Sequence, residues 1–147
     1  MLAATARLLP HVRFILVGIA PSIAEALDTP ANLTCIGLRS RGELLAFYQR
    51  ARIYCQPSRR EGLSNTLCEA MLCGCVPVAT DVGGTAAAIG GTGVVVPPSD
   101  PVALADAIER MRTSSRDGTE ARERASSLFP RERRQRRLRE VVGSLAE

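Results

Sequence analysis

Five short apolar runs, each followed by a segment of helical period, constrain what this chain can fold into more than anything else in it. The runs are residues 12–18 (VRFILVG), 32–37 (NLTCIG), 53–56 (IYCQ), 76–80 (VPVAT) and 93–96 (GVVV). They are continuous rather than alternating, as strands covered on both faces must be. Helix starts are marked between them. Ser22 with Glu25, and Ser40 with Glu43, have the spacing of a capping box and predict helices over 22–28 and 40–50. Asp100 before Pro101 opens a helix through Met111, with Val102, Leu104, Ala105, Ile108 and Met111 at helical spacing. Residues 65–73 form a further helix, stopped by Gly74. Residues 2–9 read as the end of another, and Gly83-Gly84 opens a short one through Ile89. Strands in alternation with helices give an α/β domain, a parallel sheet with helices on both faces. The 147 residues are enough for one core. In such a sheet ligands bind beyond the carboxyl ends of the strands.

The chain concentrates its chemistry at that edge, in residues 57–84, PSRREGLSNTLCEAMLCGCVPVATDVGG. Glu61 lies in the loop after the third strand, and Glu69 about one turn into the helix that follows. Between them Gly62, Leu63, Ser64, Asn65 and Thr66 offer backbone N–H groups and small side chains at a helix start. A helix N-terminus has unpaired N–H groups and the positive end of the dipole, so it suits a phosphate. Carboxylates accept hydrogen bonds from hydroxyls and repel phosphates. Acids that flank a helix N-terminus therefore fit a ligand with both, such as a nucleotide sugar. Plainer readings stand beside this one. Ser64 or Asn65 is an ordinary N-cap, Glu61 a loop acid favoured by the dipole, and Glu69 a solvated helix acid. Arg59 and Arg60 either neutralise diphosphate charge or lie on the surface.

EGLSNTLCEAM followed by GCVPVATDVGG resembles the E-x7-E region of the family 4 (group 1) retaining glycosyltransferases of GT-B fold. Glu61 and Glu69 match the two glutamates, and Gly83-Gly84 the second turn. The resemblance implies a Rossmann-like domain, part of the family's C-terminal, donor-binding half, over roughly residues 1–113, with 114–147 a polar linker and a basic helical segment. It implies that the complete enzyme transfers a sugar from a nucleotide diphosphate sugar to an acceptor with retention, with no metal and no cofactor besides the donor. Glu61 then positions the donor sugar as the catalytic-site residue. Glu69 bonds the ribose hydroxyls, Gly62, Leu63, Ser64, Asn65 and Thr66 lie at the diphosphate, and Gly37, Leu38 and Arg39 form the loop against the nucleobase. The strands would be the family's second to sixth. The family's central first strand, with its donor-phosphate Arg and Lys, would be absent, leaving a gap between residues 12–18 and the side of the sheet that holds Val76–Thr80. Ala20 departs from the family's Gly-x-Gly-Pro turn. The acceptor site and its histidine belong to an N-terminal domain missing from this chain, so His11 has no such role.

Charge and thiols bound the setting. All 19 basic residues are arginine, and nine of them fall in residues 116–140 against five acids. That tail reads either as a helix packing Leu128, Leu138, Val141 and Leu145, or as a basic surface suited to anionic lipid heads at the inner face of a membrane. No nucleic-acid partner is expected. Five cysteines without metal-ligand spacing predict free thiols in a reducing cytoplasm and no zinc. Two other readings are a non-catalytic nucleotide-sugar binding module and a truncated, inactive fragment whose tail binds anionic surfaces.

Overall fold

The computed structural model describes residues 1–128 and Pro130. In chain order these hold α1 (Leu2–Leu8), β1 (Phe14–Val17), α2 (Pro21–Ala26), β2 (Leu33–Ile36), α3 (Arg41–Arg50) and β3 (Ile53–Gln56). There follow α4 (Asn65–Leu72), β4 (Val76–Thr80), α5 (Thr85–Ile89), a 3-10 turn at Gly90–Thr92, β5 (Val94–Val96), α6 (Pro101–Thr113) and α7 (Thr119–Leu128). The predicted tail packing at Leu138, Val141 and Leu145 lies outside the described residues.

All strand pairs are parallel. They form two sheets rather than one: β1 with β2, and β3-β4-β5. This is the break expected where a central strand is absent. Its place differs from expectation in one respect. Val76–Thr80 pairs on both sides and is buried at all five residues, so the edges of the larger sheet are β3 and β5.

Side-chain alternation along the strands divides the interior in two. Ile53, Cys55, Val78, Val94 and Val96 face α1 and α6, where they meet Ala6, Phe14, Leu33, Leu104 and Ile108. Tyr54, Ala79 and Val95 face the other way, onto Leu67 and Met71 of α4, Ala88 and Ile89 of α5, and Ala121 and Ala125 of α7. Small alanines on α7 let it approach α4 closely. The larger sheet is thus covered on both faces, which explains why its strands carry no polar alternation. β1 is different. Phe14 enters the core, but Ile15 is 55% exposed, as is Ile23 of α2. Nothing among the described residues covers that side of β1, although its sequence is as apolar as a buried strand's.

The helix signals were met with one exception. Ser40 and Glu43 form the full capping box of α3. Asp100 Oδ1 accepts from the N–H groups of Val102 and Ala103 at the start of α6. Ser22 does not cap α2. The helix begins at Pro21, with Ala20 as N-cap and no side-chain bond. Proline's fixed φ already suits the first helical position, and its missing N–H leaves one less donor to cap. α4 ends at Leu72, and Gly74 takes φ +82, the left-handed conformation that stops a helix at little cost to glycine.

One clamp was not visible beforehand. The side-chain amide of Asn32 lies 2.8–2.9 Å from the carbonyls of Ala6, Leu9 and Val12. It joins carbonyls from the last turn of α1 and the loop after it, and so fixes that helix to the approach of β1. A second tie links α1's exit to α6. Glu109 lies 3.1 Å from His11 Nε2 and accepts from Arg112 at 2.6 and 2.9 Å. The Arg112 guanidinium, then His11, hold the Glu109 carboxyl down at about 2.

Two outcomes follow for stability. Leu104 is fully buried, so Leu104→Ala should cost about 3 kcal/mol in denaturant unfolding. Ile15→Ala in the same chain should stay within about 0.5 kcal/mol, as for a surface site. Equal costs would show that β1 is covered after all. The Glu109 tie makes the second. A carboxyl with a depressed folded-state value contributes stability above its unfolded value and loses it as the pH falls. The Tm advantage of the native chain over Glu109→Gln should be full above pH 4.5 and vanish as the pH approaches about 2. A difference that does not change over this range would remove the tie from the account.

Candidate donor-sugar site

The loop from β3 to α4 and the turn from β4 to α5 meet at the carboxyl edge of the larger sheet. They are stitched by backbone: the Gly84 N–H donates to the Gly62 carbonyl at 2.6 Å. Gly83 sits at φ +54 against the Glu61 and Gly62 carbonyls, and a Cβ there would overlap both. This is why the turn carries a glycine pair. From below, β4 holds the first loop through Thr80. Its buried hydroxyl lies 2.6 Å from the Ser58 carbonyl and 3.3 Å from that of Gln56.

Glu61 is thereby placed at the edge with its side chain exposed. Its Oε2 lies 3.2 Å from Ser58 Oγ and 3.5 Å from Gln56 Nε2, both donors. Eight residues on, Glu69 projects from α4 and is 37% exposed. Arg41, at the first turn of α3, reaches it at 3.6 Å but is itself 93% exposed, so the pair adds little stability. Buried Tyr48 packs edge-on to Tyr54 with ring centroids 5.9 Å apart. Burial, then Tyr54 and the Glu69 carboxylate, push its phenol well above the ordinary value, so it stays protonated.

Between the acids, Ser64 rather than Asn65 is the N-cap of α4, its Oγ accepting from the Leu67 N–H. Among the described residues, the N–H groups of residues 62–66 are engaged by no acceptor. Gly62, Leu63, Asn65 and Thr66 are exposed there, and Ser64 is buried. Gly37, Leu38 and Arg39 follow β2. Leu38 is 84% exposed, and Arg39 pairs with Glu43 at 3.6 Å. The Arg41–Glu69 contact sets this loop's end beside α4. Arg59 and Arg60 are exposed and in no ion pair among the described residues. The structure therefore gathers Glu61, residues 62–66 and Glu69 at one edge, with 37–39 adjoining through Arg41.

Sequence reasoning missed four residues: Gln56, Tyr54, Thr80 and Arg41. A signal existed for Gln56 alone. It is a polar residue that closes an apolar strand just before Pro57, and it is buried. Among the described residues no group of three His, Cys, Asp or Glu side chains could hold a metal.

The chain is 34% identical over 91 residues to D-inositol 3-phosphate glycosyltransferase of Corynebacterium urealyticum, covering 60% of this chain and 22% of that protein. Its fold matches sucrose-phosphate synthase of Thermosynechococcus elongatus with TM-score 0.85 and 28% identity, over 98% of this chain and 41% of that one. Anabaena HepE, solved in complex with UDP-glucose, matches with TM-score 0.75 and 22% identity, over 92% of this chain and 42% of that one. The chain thus spans about a fifth of the curated relative and two fifths of these structures. The family described as Glycosyl transferases group 1 matches residues 1–114, and the chain belongs to it.

Proposed function

We propose that this chain is the donor-binding part of a retaining glycosyltransferase that moves a sugar from a nucleotide diphosphate sugar to an acceptor. One observation carries the reading. Two carboxylates flank the unengaged N–H groups of a helix N-terminus, at the sheet edge where such folds bind ligands. The diphosphate lies against residues 62–66. Those N–H groups oppose the charge that develops as the sugar–phosphate bond breaks, in a frame fixed before the reaction. Glu69 accepts from the ribose hydroxyls, in the place Arg41 now reaches. Glu61, the first acid of the E-x7-E pair, accepts from the donor sugar's hydroxyls. The base rests against Gly37, Leu38 and Arg39, where exposed Leu38 offers an apolar face. None of these side chains is placed as a nucleophile or general base, so their work is binding and orientation. The acceptor site lies on a domain outside this chain. Donor binding needs no metal on this reading, which the acid spacing supports: the two carboxylates are assigned to hydroxyls. Five free thiols are consistent with a cytoplasmic setting.

The test is thermal unfolding of the chain with UDP, GDP and ADP and their glucose conjugates. At about 100 times Kd, binding should add about 2.7 kcal/mol. One nucleotide series should raise Tm and the others should not. Glu69→Ala should weaken both the nucleotide and its sugar conjugate by about 1.5–3 kcal/mol, a loss of one charged hydrogen-bond acceptor. EDTA should leave the preferred ligand's effect unchanged. No Tm shift with any of the six, or an undiminished one in Glu69→Ala, would overturn the assignment.

A further inference from the structure

Gln56 stands out because a buried amide at the end of an apolar strand has to place both of its ends. It is 6% exposed. Its Oε1 lies 3.4 Å from the Tyr54 hydroxyl, and its Nε2 lies 3.5 Å from Glu61 Oε2. Turning the amide over would set its oxygen against a carboxylate oxygen, two acceptors face to face. The carboxylate on one side and the phenol on the other therefore fix a single orientation. The phenol is itself held: its hydroxyl is 2.8 Å from Thr66 Oγ1, which is 2.7 Å from Ser64 Oγ, the N-cap of α4. Hydroxyl contacts thus link Gln56 to the N-cap: the Tyr54 hydroxyl is a donor toward both Gln56 Oε1 and Thr66 Oγ1, either hydroxyl can donate between Thr66 and Ser64, and the Gln56 amide donates to Glu61. Burial pushes the Tyr54 phenol up, so it remains a donor across the ordinary pH range.

We propose that Gln56 is a positioning residue for the donor sugar. Its amide, wedged between Tyr54 and Glu61, sets the direction of the Glu61 carboxylate and ties it to the N-cap of α4. The acid that meets the sugar and the helix turn that meets the diphosphate are then held in one register. Both Gln56 contacts are long, as is common in sites that tighten only around a ligand. The inference rests on the assignment of Glu61 to the donor sugar.

Selectivity between a sugar nucleotide and its bare nucleotide reads the effect, because only the first presents a sugar to Glu61. The probes are UDP and UDP-glucose, or the GDP or ADP pair if the chain prefers it, with affinities measured by calorimetry on the native chain, Gln56→Glu, Gln56→Leu, Glu61→Ala and the two double variants. Gln56→Glu keeps shape but faces Glu61 with a like charge, and Gln56→Leu removes the donor. Each should lower the ratio of sugar-nucleotide to nucleotide affinity by roughly tenfold, and neither should lower it further once Glu61 is alanine. A disturbance of the fold alone would weaken both ligands together and leave the ratio unchanged. If Glu61→Ala lowers the ratio and the Gln56 variants do not, the proposal fails and the reading of Glu61 stands. Additive losses in the double variants would also overturn it. If Glu61→Ala leaves the ratio unchanged, or the native chain binds neither ligand, the underlying assignment falls and takes the proposal with it. A measurement without ligand guards against variants that do not fold. The Gln56 side-chain amide proton signal in ¹H–¹⁵N spectra should move upfield in Glu61→Ala, having lost its acceptor. An unmoved signal would show that the contact is not made.

Discussion

The 2.6 Å bond from the Gly84 N–H to the Gly62 carbonyl makes two separate loops into one surface. It exists only because no side chain stands at Gly83, whose backbone lies directly against the Glu61 and Gly62 carbonyls. Loops are ordinarily the most mobile part of an α/β domain. Here each loop limits the other. Thr80 adds a third restraint from inside the sheet, holding the backbone of Gln56 and Ser58. β4 can supply it because it is the central strand of its sheet, buried at every residue and paired on both sides. The line of dependence runs from a fully buried strand, through a buried hydroxyl and a glycine pair, to the position of an exposed carboxylate.

Much of this was legible from residues that signal on their own. Asp100-Pro101, Ser40 with Glu43, and Gly74 each carry a local mechanism that does not depend on what the rest of the chain does, and each operates as read. The strands were legible because a run such as VPVAT has nowhere to go but the interior. Ser22 misled because Pro21 supplied a competing start one residue earlier. What could not be read is what depends on two distant residues meeting. Asn32 reads as the first residue of a strand in sequence and is a three-carbonyl clamp in space. Arg41 is an unremarkable helix-start arginine until α3 lies beside α4. The two acids were found from their spacing, but their surroundings were not, since the donors to Glu61, Gln56 and Ser58, come from a strand and a loop that Thr80 of another strand holds.

β1 shows the limit of reading burial from composition. FILV is as apolar as any strand here, yet Ile15 is more exposed than buried. An apolar strand records what its environment is meant to be, not what the described residues supply. The same holds for the split between the β1-β2 pair and the larger sheet. Each has backbone groups at an edge with no strand to pair with among the described residues, which ordinarily invites association. The shared packing of Phe14 and Leu33 against α1 and α6 keeps the two parts together without direct strand pairing.

That division bears on how the site is built. Every restraint on Glu61 traced above comes from β3, β4 and the loops they carry, which lie on one side of the break. Glu69 also belongs to that side, but its charged neighbour Arg41 comes from the helix that follows β2. The Glu61 end of the edge is therefore set by the well-packed sheet alone, while the surroundings of Glu69 also depend on how the β1-β2 unit and the helix after it are held.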